Sequence, residues 1–254
     1  MCDDNKSLKF GLRKSSGDEL VNKVCFAYEK IDFPTKFSLK DRVKQVYDQS
    51  SINSCSANAC ANFLTISNLQ NDISRLYLYF CSRYIDNEKM VPVKDHGSTL
   101  KSVFLAMRCY HYIDETEYPY LIEKVNDIPS GEIFTKAIAV NKSPIVGYKQ
   151  IIPSRYSIKY CLYKLHLPVL FGMQVFSNFF NLTKEYDVLS LPSNSDDMLG
   201  GHAVVIVGFD DSTETFEILN SHGSKFANDG YFKMPYSYAL NPDLCFEFYV
   251  VTDK

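Results

Sequence analysis

The sequence predicts an α+β fold, with helices in the first half of the chain and antiparallel strands in the second. Apolar residues recur at helical spacing between residues 54 and 108. Runs of β-branched and aromatic residues, separated by turn residues, follow from residue 168 onward. The chain has 254 residues, of which 46% are hydrophobic and 22% charged, so one large domain or two small lobes with a buried core is expected.

The first predicted helix follows a serine-rich loop, with Ser54 as its candidate N-cap. Its helically spaced apolar positions are Ala57, Cys60, Ala61 and Leu64. Two further helices are predicted at residues 72–86 and 99–108. Residues 1–32 mix charged residues, Gly and Ser with little periodicity, which predicts an N-terminal extension.

Strands are predicted in the second half of the chain at 168–175, 203–209, 216–220, 231–234 and 246–251. The turn residues 210–212 join the second and third of these strands into a hairpin. We therefore predict a helical lobe over residues 33–135 and a β lobe over residues 136–254, which follow the extension at 1–32.

Composition argues against several classes of protein. The formal net charge of −3 does not predict a basic face for nucleic acid. The uncharged stretch Leu165–Thr183 contains Pro168, Gly172 and several amides, so we do not expect a membrane span. The charged start of the chain has no apolar region typical of a secretory signal.

The eight cysteines are dispersed, without a CxxC pair, so a zinc site is not expected. We interpret them as reduced thiols, seven of them small buried hydrophobes. This favours a cytoplasmic or otherwise intracellular location, with a virion or a lysosome-like compartment as the alternative.

Cys55 is the candidate nucleophile because it occupies the first position of the first predicted helix. The partial positive charge of a helix N-terminus favours a thiolate, which is the reactive form of cysteine. A structural buried cysteine is the more common role for a lone cysteine.

His202 and Asn220 are candidates for the groups that assist such a nucleophile. His202 follows two glycines at the start of a predicted strand, and Asn220 ends the next strand of the hairpin. The hairpin brings the two side chains close together, so that the amide oxygen can accept the ring N–H and turn the other ring nitrogen toward sulfur. Taken singly, a core histidine and a turn asparagine remain open alternatives.

Gln49 lies six residues before Cys55, where its side-chain amide and the Cys55 backbone N–H can bind a developing oxyanion. The alternative for Gln49 is an ordinary surface loop residue.

Several blocks of the sequence together resemble the papain-like, cathepsin-type cysteine peptidases. Residues 46–59 fit the pattern V-x-D-Q-x5-C-x-A-x-A, which is found in divergent members of that family. Residues 201–204 resemble the strand of the catalytic histidine, and residues 220–223 with 230–232 resemble the block N-S-W-G…G-Y-F. Residues 95–99 resemble the loop along which substrate binds. The resemblance extends from about residue 33 to the end of the chain.

The resemblance implies two lobes, one helical and one antiparallel and barrel-like, with the active-site cleft between them. Cys55, His202 and Asn220 would be catalytic, and Gln49 with Cys55 would form the oxyanion hole. The implied substrate-binding residues are Gly97, Ser98 and Gly201. Neither a metal nor an organic cofactor is expected.

The sequence departs from the family where tryptophan is usual. Ser56 follows the nucleophile, and His222 and Phe226 stand where indoles shield the His–Asn hydrogen bond. About 32 residues precede the matched region, and this short extension at residues 1–32 is hypothesised to cover part of the cleft, as in a zymogen.

The predicted function is hydrolysis of peptide bonds in a peptide or protein substrate through a thioester, with endopeptidase activity as the default. One alternative is a catalytically weak or silent binding module of the same fold. The other is an acyltransferase or amidase that uses the same three residues. We expect no nucleic-acid or membrane partner, and the chain's own N-terminal segment is a possible inhibitor.

Overall fold

The computed structural model describes residues 8–15, 23–26, 28–68, 72–139 and 147–251. Its helices are α1 (Cys55–Ile66), α2 (Arg75–Asp86), α3 (Leu100–Tyr110), α4 (Gly131–Ala139), α5 (Arg155–Lys159) and α6 (Tyr236–Ala239). A π-helical turn at Tyr160–Lys164 continues α5. Short 3₁₀ turns at Lys40–Arg42, Ile122–Lys124 and Ser177–Asn181 connect some of the larger elements.

The strands form one antiparallel sheet. They are β1 (Lys36–Ser38), β2 (Tyr148–Gln150), β3 (Val169–Phe176), β4 (Met198–Asp210), β5 (Thr215–Leu219), β6 (Tyr231–Pro235) and β7 (Cys245–Val251). Their order in the sheet is β2-β7-β3-β4-β5-β6, and β1 pairs separately with β4. The long strand β4 therefore lies near the centre and contacts three other strands.

Helix α1 is the structural centre of the helical part because every one of its residues is buried. Small residues at Ala57, Ala59, Cys60 and Ala61 allow neighbouring elements to approach its backbone closely. It contacts α2 and α3 on the helical side and β4 on the sheet side. The first residue of α1 consequently lies at the junction of helices and sheet.

The hairpin of β4 and β5 determines where His202 and Asn220 lie. Val205 pairs with Leu219, and a bulge interrupts the register between Ile206 and Gly208. Asn220 follows β5 directly, and its backbone N–H donates to the Gly230 carbonyl with an N···O distance of 3.0 Å. The side chain of His202 on β4 thus meets that of Asn220, which directly follows the neighbouring strand β5.

The α+β prediction is confirmed, and each predicted helix and strand corresponds to an observed element. The strand predicted at residue 203 begins at Met198 instead, because Gly200 and Gly201 continue the pairing with β3. Pattern reasoning missed β1, which pairs with β4 although it lies in the predicted helical lobe. It also missed α4, which spans the predicted lobe boundary at residue 135, and the division into lobes stays a prediction.

The prediction of seven buried structural cysteines was wrong for Cys25 and Cys109, which are exposed. Cys109 lies in the last turn of the amphipathic helix α3, on its solvent side. Cys2 lies outside the described residues.

Among the described residues, no helix is both long enough and apolar enough to cross a membrane. Nor does the described part of the chain contain a group of three or more His, Cys, Asp or Glu side chains arranged to hold a metal ion.

Candidate active site

Cys55 is the first residue of α1, as predicted, and its side chain is completely buried. Ser54 precedes it but does not cap the helix with its side chain. Its hydroxyl is instead paired with the Tyr120 hydroxyl and accepts from the Asn58 amide with an N···O distance of 2.9 Å. The loop before the nucleophile is therefore fixed from the helical side.

The Cys55 sulfur lies against four backbone N–H groups, those of Ala203, Gly11, Ser56 and Leu12. Burial raises the pKa of the Cys55 thiol to about 11, and these four donors only partly oppose that effect. The expectation of a lowered pKa is therefore not met in this covered state, because loss of water outweighs the helix N-terminus.

His202 and Asn220 form the hydrogen bond expected from the hairpin. Nε2 of His202 lies 2.7 Å from Oδ1 of Asn220, and both side chains are buried. Burial lowers the pKa of His202 to about 4, although the bond to Asn220 acts in the opposite direction. Nδ1 of His202 is buried and has no hydrogen-bond partner among the described residues.

The two sides of the site meet within β4, at His202 and Ala203. The Cys55 sulfur contacts the backbone N–H of Ala203, which immediately follows His202 in the chain. Cys55 at the start of α1 is thus placed against the backbone of the strand that carries His202, whose Nδ1 has no partner among the described residues.

Gln49 is fully buried, so the alternative of a surface loop residue was wrong. Its amide nitrogen donates to the carbonyl oxygens of Lys9 and Ile52, with N···O distances of 3.0 Å in both cases. Its amide oxygen accepts from the Ser221 hydroxyl at 2.8 Å. Ser221 therefore orients the amide nitrogen toward the cleft, a role that sequence reasoning missed although Ser221 belongs to the matched block at residues 220–223.

Residues 8–15, here called the cleft segment, lie across the site. The N–H of Leu12 donates to the Gly201 carbonyl at 2.8 Å, and the N–H of Arg13 donates to the Ser98 carbonyl at 3.1 Å. Gly97 has a φ of +81°, and a Cβ atom added to it would lie 1.5 Å from the Gly11 carbonyl oxygen, so only glycine allows this approach. The predicted substrate-binding residues Gly97, Ser98 and Gly201 therefore contact the backbone of the chain's own extension.

Side-chain contacts fix the second half of the cleft segment. The Leu12 side chain is buried and packs directly against Gly172. A Cβ atom added to Gly172 would lie only 2.7 Å from Cδ2 of Leu12. Arg13 forms an ion pair with Asp86 at 2.7 Å, and the backbone N–H of Ser15 donates to the Glu247 carboxylate at 2.6 Å. Sequence reasoning missed Asp86 and Glu247, since neither belongs to a motif.

The two residues predicted to shield the His–Asn pair differ in their contacts. The His222 ring stacks on the His202 ring, with centroids 4.8 Å apart and planes 4° apart. Phe226 contacts His222 and Phe179, with centroids 5.6 and 5.2 Å away. His222 thus covers the pair directly, and Phe226 forms a second apolar layer.

A sequence model of the papain family cysteine proteases matches residues 29–244, which include Cys55, His202 and Asn220. The chain belongs to the papain family. An uncharacterized peptidase C1-like protein of Acanthamoeba polyphaga mimivirus is 31% identical over 222 residues, which cover 81% of this chain and 69% of that protein.

Solved structures of papain-family proteins have the same fold. Xylellain, a cysteine protease from Xylella fastidiosa, superimposes with a TM-score of 0.83 at 28% identity, covering 96% of each chain. A procathepsin B from Trypanosoma congolense gives a TM-score of 0.68 at 17% identity, covering 99% of this chain and 88% of that one. The papain-like fold predicted from the motifs is confirmed.

Proposed function

We propose that this papain-family chain is a cysteine peptidase with Cys55 as nucleophile, His202 as proton donor and acceptor, and Asn220 as the group that holds His202. The observation that carries the proposal is the buried hydrogen bond of 2.7 Å between His202 and Asn220, at the strand whose Ala203 N–H contacts the Cys55 sulfur. That bond leaves Nδ1 of His202 without a partner among the described residues, and in the proposed mechanism this nitrogen exchanges a proton with the sulfur.

In the proposed reaction, the Cys55 thiolate attacks the carbonyl carbon of the scissile peptide bond. The oxyanion is bound by the Gln49 amide nitrogen and the Cys55 backbone N–H. Protonated His202 donates its proton to the leaving amine, and a thioester remains on sulfur. His202 then takes a proton from water, whose hydroxide hydrolyses the thioester and restores the thiol.

We further propose that the cleft segment holds the enzyme inactive. The Lys9 carbonyl oxygen accepts from the Gln49 amide, which is therefore occupied. The backbone of Gly11 and Leu12 lies at the Cys55 sulfur. The segment therefore occupies the part of the cleft next to the nucleophile.

Endopeptidase activity completes the proposal. The cleft segment passes Cys55 and continues on both sides of it, from Lys9 at Gln49 to Ser15 at Glu247. A groove that accommodates a chain on both sides of the sulfur fits cleavage within a polypeptide.

A peptide-library cleavage profile tests the proposal, with the full-length chain carrying Leu12→Asp to release the segment. We expect cleavage within peptides and covalent labelling of Cys55 by an epoxysuccinyl reagent of the E-64 type, and neither in the Cys55→Ala variant. Labelling without peptide cleavage would indicate a different acyl acceptor. The absence of both in a folded Leu12→Asp protein would favour the silent binding module.

A further inference from the structure

Asn220 connects two imidazole rings, not one. Its Oδ1 lies 2.7 Å from Nε2 of His202, and its Nδ2 lies 3.0 Å from Nδ1 of His222. The two rings are parallel, with centroids 4.8 Å apart. The amide therefore bridges one ring of the proposed catalytic pair and one ring outside it.

The two ends of an amide differ chemically, because the oxygen only accepts and the nitrogen only donates. An oxygen acceptor at His202 requires a proton on Nε2, which agrees with both the neutral and the cationic ring. A nitrogen donor at His222 requires a lone pair on Nδ1, which the cationic ring lacks. The same amide thus stabilises a positive charge on His202 and disfavours one on His222.

The surroundings of His222 reinforce this difference. Burial lowers the pKa of His222 well below its usual value. His202 is the titratable side chain that stacks on it, and a positive charge on His202 lowers the pKa of His222 further. Aromatic rings of Phe10, Phe179 and Phe226 contact its other sides. The backbone of Asp48 forms an isolated β-bridge with that of His222. The Asp48 carboxylate accepts from the Ser50 N–H, with an N···O distance of 2.7 Å.

The cleft segment supplies one further polar group near His222, the backbone of Lys9, which favours the protonated ring. The Lys9 carbonyl leaves with the segment when the cleft opens. Nε2 of His222 is buried without a hydrogen-bond partner among the described residues. None of these groups accepts a hydrogen bond from Nδ2 of Asn220. Nδ1 of His222 is therefore the acceptor that orients the amide.

We infer that His222 is a positioning residue of the proposed peptidase, whose neutral ring fixes the Asn220 amide so that its oxygen faces His202. Protonation of His222 adds a proton to Nδ1, so that an N–H donor then faces the Nδ2 donor of Asn220. The amide must then turn over, and its nitrogen replaces the oxygen at His202. His202 loses its acceptor, and the imidazolium that donates to the leaving amine is no longer held.

The direction of the pH effect follows from this geometry. Activity requires neutral His222, so it is lost as the pH falls through the pKa of His222 and is unaffected above it. Protonation of the thiolate–imidazolium pair removes activity on the same side. The acid limb of kcat/KM should therefore have a two-proton slope.

The inference rests on the proposed peptidase function. Its first test measures how kcat/KM falls at acid pH in full-length Leu12→Asp protein, the parent, and in two variants made in that background. His222→Gln offers an uncharged acceptor to Asn220, and His222→Phe keeps a ring without one. We expect His222→Gln to stay within about threefold of the parent at neutral pH, and His222→Phe to fall about tenfold or more. Both should show a one-proton acid limb.

Two results of this test would overturn the inference. One is an acid limb of His222→Gln with the parent's slope and midpoint. The other is an equal loss of neutral-pH activity in His222→Gln and His222→Phe, which would show that the acceptor is irrelevant. Circular dichroism of each variant establishes that it is folded.

A second test needs no activity. Nitrogen-15 spectra of histidine-labelled full-length protein report which ring nitrogen carries the proton, with His222→Gln used only to assign the signals. We expect Nε2–H and unprotonated Nδ1 for His222. A proton on Nδ1 overturns the inference. If no peptide is cleaved while these spectra agree, the function fails and the placement of the amide stands.

Discussion

The backbone N–H of Leu12 donates to the carbonyl oxygen of Gly201, the residue directly before His202, with an N···O distance of 2.8 Å. This bond places residues of the extension between the helical side and the sheet side of the site. The Leu12 side chain is simultaneously buried beside Gly172. Closure of the cleft and burial of the thiol are therefore the same structural event.

Replacing Leu12 by Asp should release the cleft segment, because burying an unpaired carboxylate costs several kcal/mol. Water then reaches Cys55, whose pKa of about 11 in the covered state results mainly from burial. We expect the alkylation rate of Cys55 by iodoacetamide at neutral pH to rise about tenfold or more.

Peptide mass spectrometry should measure that rate, because Cys25 and Cys109 are exposed and also react. Leu191→Asp is the matched control, since Leu191 is 50% exposed and can accept the same change without leaving a pocket. Equal Cys55 alkylation in the wild type and in Leu12→Asp would show that the segment does not protect the thiol.

Asn220→Ala should lower kcat about 100-fold in the Leu12→Asp background, at the low end of what acid–base catalysis contributes. The loss follows because His202 would lose the acceptor that orients its ring. Cys55→Ala should abolish turnover altogether. Asn228→Ala is the control, because the Asn228 amide donates to Asp187. A kcat for Asn220→Ala equal to that of the control would remove Asn220 from the mechanism.

Much of the fold and of the arrangement of the candidate site could be predicted from the sequence, because both follow local patterns. Helical spacing located α1, and the position of Cys55 at its start depends only on that spacing. The β4–β5 hairpin followed from two apolar runs around one turn, and it implied the contact between His202 and Asn220.

What the sequence could not predict depends on contacts between distant segments. The pKa of Cys55 depends on whether residues 8–15 cover it, and no local pattern encodes that docking. Glu247 and Asp86 hold Ser15 and Arg13 across the fold, outside any motif. Short β1 has too few residues for a period, and its pairing with β4 is long-range.

Gln49→Glu should lower kcat about 100-fold to 1000-fold in the Leu12→Asp background, as loss of one oxyanion donor does in other enzymes. The carboxylate keeps the size of the side chain but has no N–H, and it repels a developing negative charge. KM should change much less than kcat. Gln150→Glu is the matched control, since Gln150 donates to the Tyr249 hydroxyl on the far edge of the sheet. A proportional rise in KM with unchanged kcat would contradict the oxyanion role.

Acidification should destabilise the covered protein through its two buried imidazoles. The pKa of His222 is lowered well below the usual value of 6.5, mainly by burial, so the unfolded chain binds a proton that the folded chain does not. This penalty is absent above the unfolded pKa and grows as the pH falls below it. His222→Gln removes one imidazole. As the pH falls from about 7.5 to about 5, the wild type should lose more of its free energy of unfolding than this variant.

Urea unfolding at a series of pH values measures that difference. Glu247, whose pKa burial raises, acts in the opposite direction but equally in both proteins, so its effect cancels in the comparison. His96→Gln is the control because His96 is exposed. Parallel curves for the wild type and His222→Gln would mean that His222 binds its proton equally well in the folded and unfolded chains, and is therefore not held neutral by its surroundings.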